Sequence, residues 1–132
     1  MIVLDEQLSL SLIAAIGKFH DGKVVSVREL RPKTIIKDEA IPQLLSKTRK
    51  QPTFVTINTK DFWKKTHPCK NISIVCLKLE DTKMMDIPIL LKSLTKSKRF
   101  RTKASRAGYV FWIDSDGHIS YHPHNKIEII DF

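Results

Sequence analysis

Two apolar runs without polar alternation, Met1-Ile2-Val3-Leu4 and Phe54-Val55-Thr56-Ile57, constrain this chain most. A half-exposed strand alternates apolar with polar residues. A strand that is apolar throughout is covered on both faces, and such strands belong to parallel sheets with helices on either side. Ile72-Ser73-Ile74-Val75-Cys76-Leu77 is a third run, and Lys23-Val24-Val25-Ser26-Val27 is a fourth strand rich in β-formers. Between them, Ser9 or Ser11 opens a helix through about Phe19, and Asp38 opens one through about Lys47. Pro32 keeps the stretch 28–37 out of a helix. A further helix is expected over Lys83–Lys98, or from Pro88 as its first residue with Asp86 as cap. The alternation predicts an α/β fold with a parallel sheet.

The last third reads differently. Gly108–Ile113 is a strand, Asp114-Ser115-Asp116-Gly117 a hairpin turn, His118–His122 the return strand, and Lys126–Ile130 a candidate third. Tyr109, Phe111 and Trp112 are expected on one aromatic face, as core or a homodimer interface. We expect one domain over residues 1–132, with an α/β core to about residue 98, then a basic segment and an antiparallel β-hairpin extension.

Acidic residues follow the apolar runs. Asp5-Glu6 comes directly after the first, and Asp61 four residues after the second. Asp38-Glu39 begins a helix, and Glu80-Asp81 follows the third run more weakly. Carboxylates at the carboxyl ends of parallel strands face the crevice where such sheets bind ligands. Clustered carboxylates repel unless a cation sits between them, commonly a divalent metal. The plainer roles are helix capping for Asp5-Glu6, Asp38 and Asp61, and a solvated loop for Glu80-Asp81.

The chain carries a net charge of +9, unevenly placed. Residues 1–46 balance, residues 47–106 hold 16 Lys or Arg against four acids, and residues 107–132 are acidic. Lys96, Lys98, Arg99, Arg101, Lys103 and Arg106 put six cations into eleven residues. Such a run suits nucleic-acid phosphates or a solvated linker. Phe100 inside it is read as an anchor to the core rather than a base-stacking ring. No apolar stretch is long enough for a transmembrane helix, which predicts no membrane partner. Cys69 and Cys76 read as free thiols, and the cytoplasm is the default location. The spacing of His118, His122 and His124 matches no zinc motif.

Leu4-Asp5-Glu6-Gln7-Leu8-Ser9, Val24-Val25-Ser26-Val27-Arg28-Glu29-Leu30, Lys37-Asp38-Glu39-Ala40-Ile41 and Val55-Thr56-Ile57-Asn58-Thr59-Lys60-Asp61-Phe62 follow one another in order. That ordered set resembles the minimal PIN-like domains of prokaryotes over roughly residues 1–80. The resemblance implies a three-layer α/β/α sheet and Mg²⁺- or Mn²⁺-dependent cleavage of RNA, as in toxin nucleases paired with a small antitoxin-like protein. It implies Asp5, Glu39 and Asp61 as catalytic, metal-binding acids, with Glu6 and Asp38 as further candidate ligands. The chain departs from the pattern at Asn58, where many relatives carry Asp; a neutral amide is a weaker ligand for a hard cation. Arg28, Lys60, Arg99, Arg101, Lys103 and Arg106 are the candidate nucleic-acid contacts. The other reading is a catalytically degenerate relative that binds nucleic acid or protein.

Overall fold

The computed structural model describes residues 1–30, 41–47, 50–59, 70–123 and 130–131. Its strands are β1 (Ile2–Leu4), β2 (Val24–Ser26), β3 (Thr53–Thr56), β4 (Ser73–Lys78), β5 (Tyr109–Asp114), β6 (Ile119–Pro123) and β7 (Ile130–Asp131). They form one seven-stranded sheet in the order β2-β1-β3-β4-β5-β6-β7. β1 to β5 pair in parallel, and β6 and β7 are antiparallel to their neighbours. The α-helices among the described residues are α1 (Ser11–Gly17), α2 (Val27–Leu30), α3 (Ile41–Ser46), α4 (Ile87–Thr95) and α5 (Lys103–Arg106).

The unbroken apolar runs are explained by cover on both sides. Ile2 and Leu4 of β1, Val55 of β3, Val75 and Leu77 of β4 and Phe111 and Ile113 of β5 meet Leu12 and Ile16 of α1 and the apolar stripe of α4. On the opposite face Val3, Phe54, Ile74 and Cys76 meet Ile41 and Leu45 of α3. Successive side chains of a strand point to opposite faces, so Ile2–Leu4, Thr53–Thr56 and residues 73–77 are each buried by one layer or the other. Ile87, Leu90, Leu91 and Leu94 fall at i, i+3, i+4 and i+7, which makes one helical stripe. Burying those four side chains is worth about 6–12 kcal/mol before conformational entropy is charged against it.

Several boundaries differ from expectation, each for a local reason. The helix expected over Lys83–Lys98 splits into a 3₁₀ segment, Asp81–Asp86, and α4, with Pro88 in the first turn where its missing N–H does no harm. Asp86 stands at the cap position but makes no side-chain capping bond. Arg28 is not in a connector but in the single turn α2. The expected C-terminal hairpin is present as β5 and β6, but β5 also pairs in parallel with β4, so the hairpin is continuous with the main sheet; β6 alone runs against the other strands. The segment expected to separate the core from the hairpin therefore belongs to the core. The turn at Asp114–Gly117 stands as read. Asp114 Oδ1 accepts the N–H groups of Asp116 and His118, both at 3.0 Å, and Gly117 takes φ +84. Tyr109 and Phe111 share a face, but Trp112 points to the other one, as alternation requires. The aromatic face is filled from within the chain by Phe100 and Tyr121. The stretches 31–40 and 60–69, and the strand expected before Ile130, lie outside the described residues.

The path across the sheet is unusual. The β1-to-β2 connection lies on the α1 face, and the β2-to-β3 connection returns in the other direction with α3 on the opposite face. Those two connections share one hand. From β4 to β5 the chain keeps moving in the β2-to-β3 direction, yet α4 lies on the α1 face. This connection has the opposite hand to the first two, and a mixture of hands is rare among parallel units. Its effect is to cover Val75, Leu77, Phe111 and Ile113, which α1 alone does not reach; α1 and α4 then pack against each other.

Cys76 is a free thiol, fully buried in the α3-side core, and burial raises its pKa. A neutral, enclosed thiol is inert. Native protein treated with iodoacetamide should therefore show Cys76 unmodified by peptide mapping, and full alkylation there only in denaturant.

Candidate active-site crevice

The strand order reverses between β1 and β3, since β1 is followed by its neighbour on one side and β3 lies on the other. A parallel sheet opens a crevice at that point, beyond the carboxyl ends of its strands. Asp5 sits there. Its N–H donates to Val55 O at 2.9 Å, which continues the β1–β3 ladder by one residue. Its side chain is only 1% exposed. Oδ2 accepts the Thr56 hydroxyl at 2.6 Å from the end of β3, and Oδ1 accepts the Glu6 N–H at 2.8 Å. Thr56 Oγ1 in turn accepts the Asn58 N–H at 3.0 Å. The carboxylate thus joins the two strands that flank the reversal.

Burial raises the Asp5 pKa above its ordinary value of 3.8. The Thr56 bond and the Glu6 amide oppose the shift, and the Glu6 charge adds to it. Arg28 reaches the same end of the sheet. Its N–H rests on Ser26 Oγ at 3.3 Å, and Nη2 donates to Glu6 O at 2.6 Å. That bond fixes the guanidinium beside the Asp5-Glu6 turn. A guanidinium has five N–H donors, so this contact does not exhaust it.

The structure brings Asp5, Glu6 and Arg28 together with Thr56 and Asn58. Asp38, Glu39, Lys60 and Asp61 lie outside the described residues. Among the described residues, no group of three or more His, Cys, Asp or Glu could hold a metal. Asp5 and Glu6 supply the hard oxygen donors that Mg²⁺ or Mn²⁺ takes, and a carboxylate retains acceptor sites beyond the two bonds made here. A complete ligand set would need the acids of the undescribed stretches. Thr56 was legible only as the one hydroxyl in an apolar run; nothing in the sequence paired it with Asp5.

The basic segment lies elsewhere. Arg101, Lys103 and Arg106 are at the amino ends of the strands, about 13 Å along β1 from Asp5 at ~3.3 Å per residue. Arg99 is exposed, with its guanidinium 5.3 Å from the centre of the Phe100 ring. Arg106 is 3% exposed and works inside the protein. Nε donates to Thr53 Oγ1 at 3.2 Å, and Nη1 to Phe100 O and Arg101 O at 2.9 and 3.1 Å. Thr102 and Ser105 form a reciprocal cap that sets the α5 turn from which Arg106 enters the core. Arg106→Met should cost about 2–4 kcal/mol in urea unfolding, because two carbonyls lose their buried donor.

At the carboxyl end, a cleft of about 540 Å³ beside β4 and β5 is lined by Lys78, Lys83 and Trp112 with Glu80, Asp114 and Asp116. The Lys78 ammonium lies 5.6 Å from the Trp112 ring centre. Its charges are mixed, so it has no clear preference for one sign of ligand. No helix among the described residues is long and apolar enough to cross a membrane. No family model matches the chain, and no similar curated protein or solved structure is found.

Proposed function

We propose that this protein is a divalent-metal-dependent ribonuclease of the PIN type, toxin-like and restrained by a small antitoxin-like partner. The observation that carries the reading is the position of Asp5, an acid at the strand-order reversal of a parallel sheet, with Glu6 and Arg28 beside it. In this reading Asp5, Glu39 and Asp61 would hold the cation, with Glu6 and Asp38 as further candidate ligands. The bound metal supplies an acidified water and neutralises charge on the phosphate. The Thr56 hydroxyl and the Glu6 N–H orient the Asp5 carboxylate. Arg28 offers donors to a phosphate oxygen while the Glu6 carbonyl steadies its head.

A second reading is favoured by one specific observation. Both Asp5 oxygens already accept protein hydrogen bonds, and position 58 is Asn. A degenerate module that binds RNA or protein without cleaving it would keep such an acid as a brace between strands. A fluorogenic RNA incubated with the protein, with and without Mn²⁺, separates the two. Cleavage that needs Mn²⁺ and disappears in the Asp5→Asn plus Asp61→Asn variant supports the hydrolase. Cleavage that survives in that variant refutes it.

A further inference from the structure

The amino ends of the strands carry a cavity of about 450 Å³ that the proposed activity does not use. Phe19, His20, Lys96, Arg101, Lys103 and Arg106 line it, and Asp21 is the single acid among its lining residues. The cations come from three places. Lys96 follows α4, Arg101 and Lys103 bracket the cap of α5, and Arg106 reaches in from the α5 turn with its guanidinium held by Thr53 and two carbonyls. A guanidinium so fixed keeps its place whether or not a ligand is present, which lowers the ordering cost of binding.

His20 marks the cavity independently. Its Nε2 is buried and makes no hydrogen bond among the described residues. A buried polar atom without a partner is costly and calls for a reason. Gly22 presses close to that same atom; a Cβ there would stand 2.8 Å from it. Burial, then the positive charges of the Met1 amino group, Arg106 and Lys96, lowers the His20 pKa, while Asp21 opposes them. Four cations gathered around a half-buried imidazole are mutually unfavourable until an anion enters.

We infer that this cavity is a binding site for a small phosphate-bearing anion, of the monoester or polyphosphate class. A pocket of this volume, partly open to solvent, suits a compact ligand. Lys and Arg bind phosphate oxygens as point charge and planar fork respectively, and the His20 ring forms part of the wall. The site is separate from the Asp5 crevice, so its ligand acts as an effector and not as the scissile phosphate.

Isothermal titration of the full chain with inorganic phosphate, pyrophosphate and a nucleoside monophosphate tests this in low-salt buffer. One-site saturation by at least one of the three probes is expected. Arg101→Ala plus Lys103→Ala, both exposed side chains, should weaken it by roughly tenfold or more while leaving the unfolding midpoint unchanged. Asp21→Asn should tighten binding about two- to threefold, since it removes the one opposing charge; a merely structural role would not move affinity in that direction. Gly22→Ala should weaken it by displacing the His20 ring. The inference fails if none of the three saturates, if the Arg101/Lys103 double variant binds as the parent does, or if only an RNA oligonucleotide responds to these substitutions. Loss of RNA cleavage in Asp5→Asn with phosphate binding intact would separate this site from the proposed nuclease.

Discussion

Asp5→Asn should lower Mn²⁺-dependent RNA cleavage by on the order of 100-fold or more, yet leave the metal-free protein at least as stable at pH 7. Burial holds the Asp5 carboxyl above its ordinary 3.8, so the folded chain binds that proton more tightly than the unfolded chain. The resulting stabilisation is complete below 3.8 and is lost as pH rises from 3.8 through the raised value. At pH 7 the ionised carboxylate is therefore a net cost that a neutral amide avoids. The amide is nearly isosteric. Its oxygen can accept the Glu6 N–H, and its NH₂ can donate to Thr56 Oγ1 if that hydroxyl turns to accept. Urea unfolding of parent and variant in EDTA should show the variant gaining relative stability from about pH 4 upward and then levelling off. Those two results together would mark Asp5 as an acid that serves chemistry at a cost to the fold. The opposite result, a variant destabilised by about 2 kcal/mol that cleaves like the parent, would make Asp5 a structural brace.

The largest stability effect is expected at Phe100. This ring has no exposed surface and meets Phe111, Tyr121 and Tyr109 edge-on at 4.7, 5.1 and 5.8 Å between centroids. Ser97 prepares its entry. The Ser97 hydroxyl donates to Leu94 O at 2.7 Å at the end of α4 and accepts the Phe100 N–H at 3.3 Å. Phe100→Ala leaves a cavity between α4 and the β5–β6 pair, and should cost about 3–5 kcal/mol in urea unfolding. Phe100→Leu refills most of that volume and should cost less than half as much. The near-ultraviolet circular dichroism of the aromatic cluster should diminish in the first variant. A cost below about 1 kcal/mol for Phe100→Ala would mean that the basic segment is not anchored through this ring.

The strands were legible because their signal is local. An apolar run ending at an acid, as in Ile2–Leu4 before Asp5, reports cover on both faces and a carboxyl end in one stroke. Phe100 was legible because a lone aromatic among cations gains more from burial than from water. Arg106 was not. An arginine in a basic run looks like surface, and its acceptor Thr53 is 53 residues away. The hand of the β4-to-β5 connection was equally hidden, because an amphipathic helix such as α4 can lie on either face. Thr56 and Asp5 met only through the register of β1 against β3, which no local pattern encodes.

That register also sets a timetable for the growing polypeptide. Ile2 lies opposite Thr53, so β1 leaves the ribosome 51 residues before its inner neighbour is made. At ~5–20 residues per second that interval is about 3–10 s. Until β3 is made a sticky strand has at most β2 beside it, and ribosome-associated holdases should lengthen its soluble lifetime during rapid overexpression.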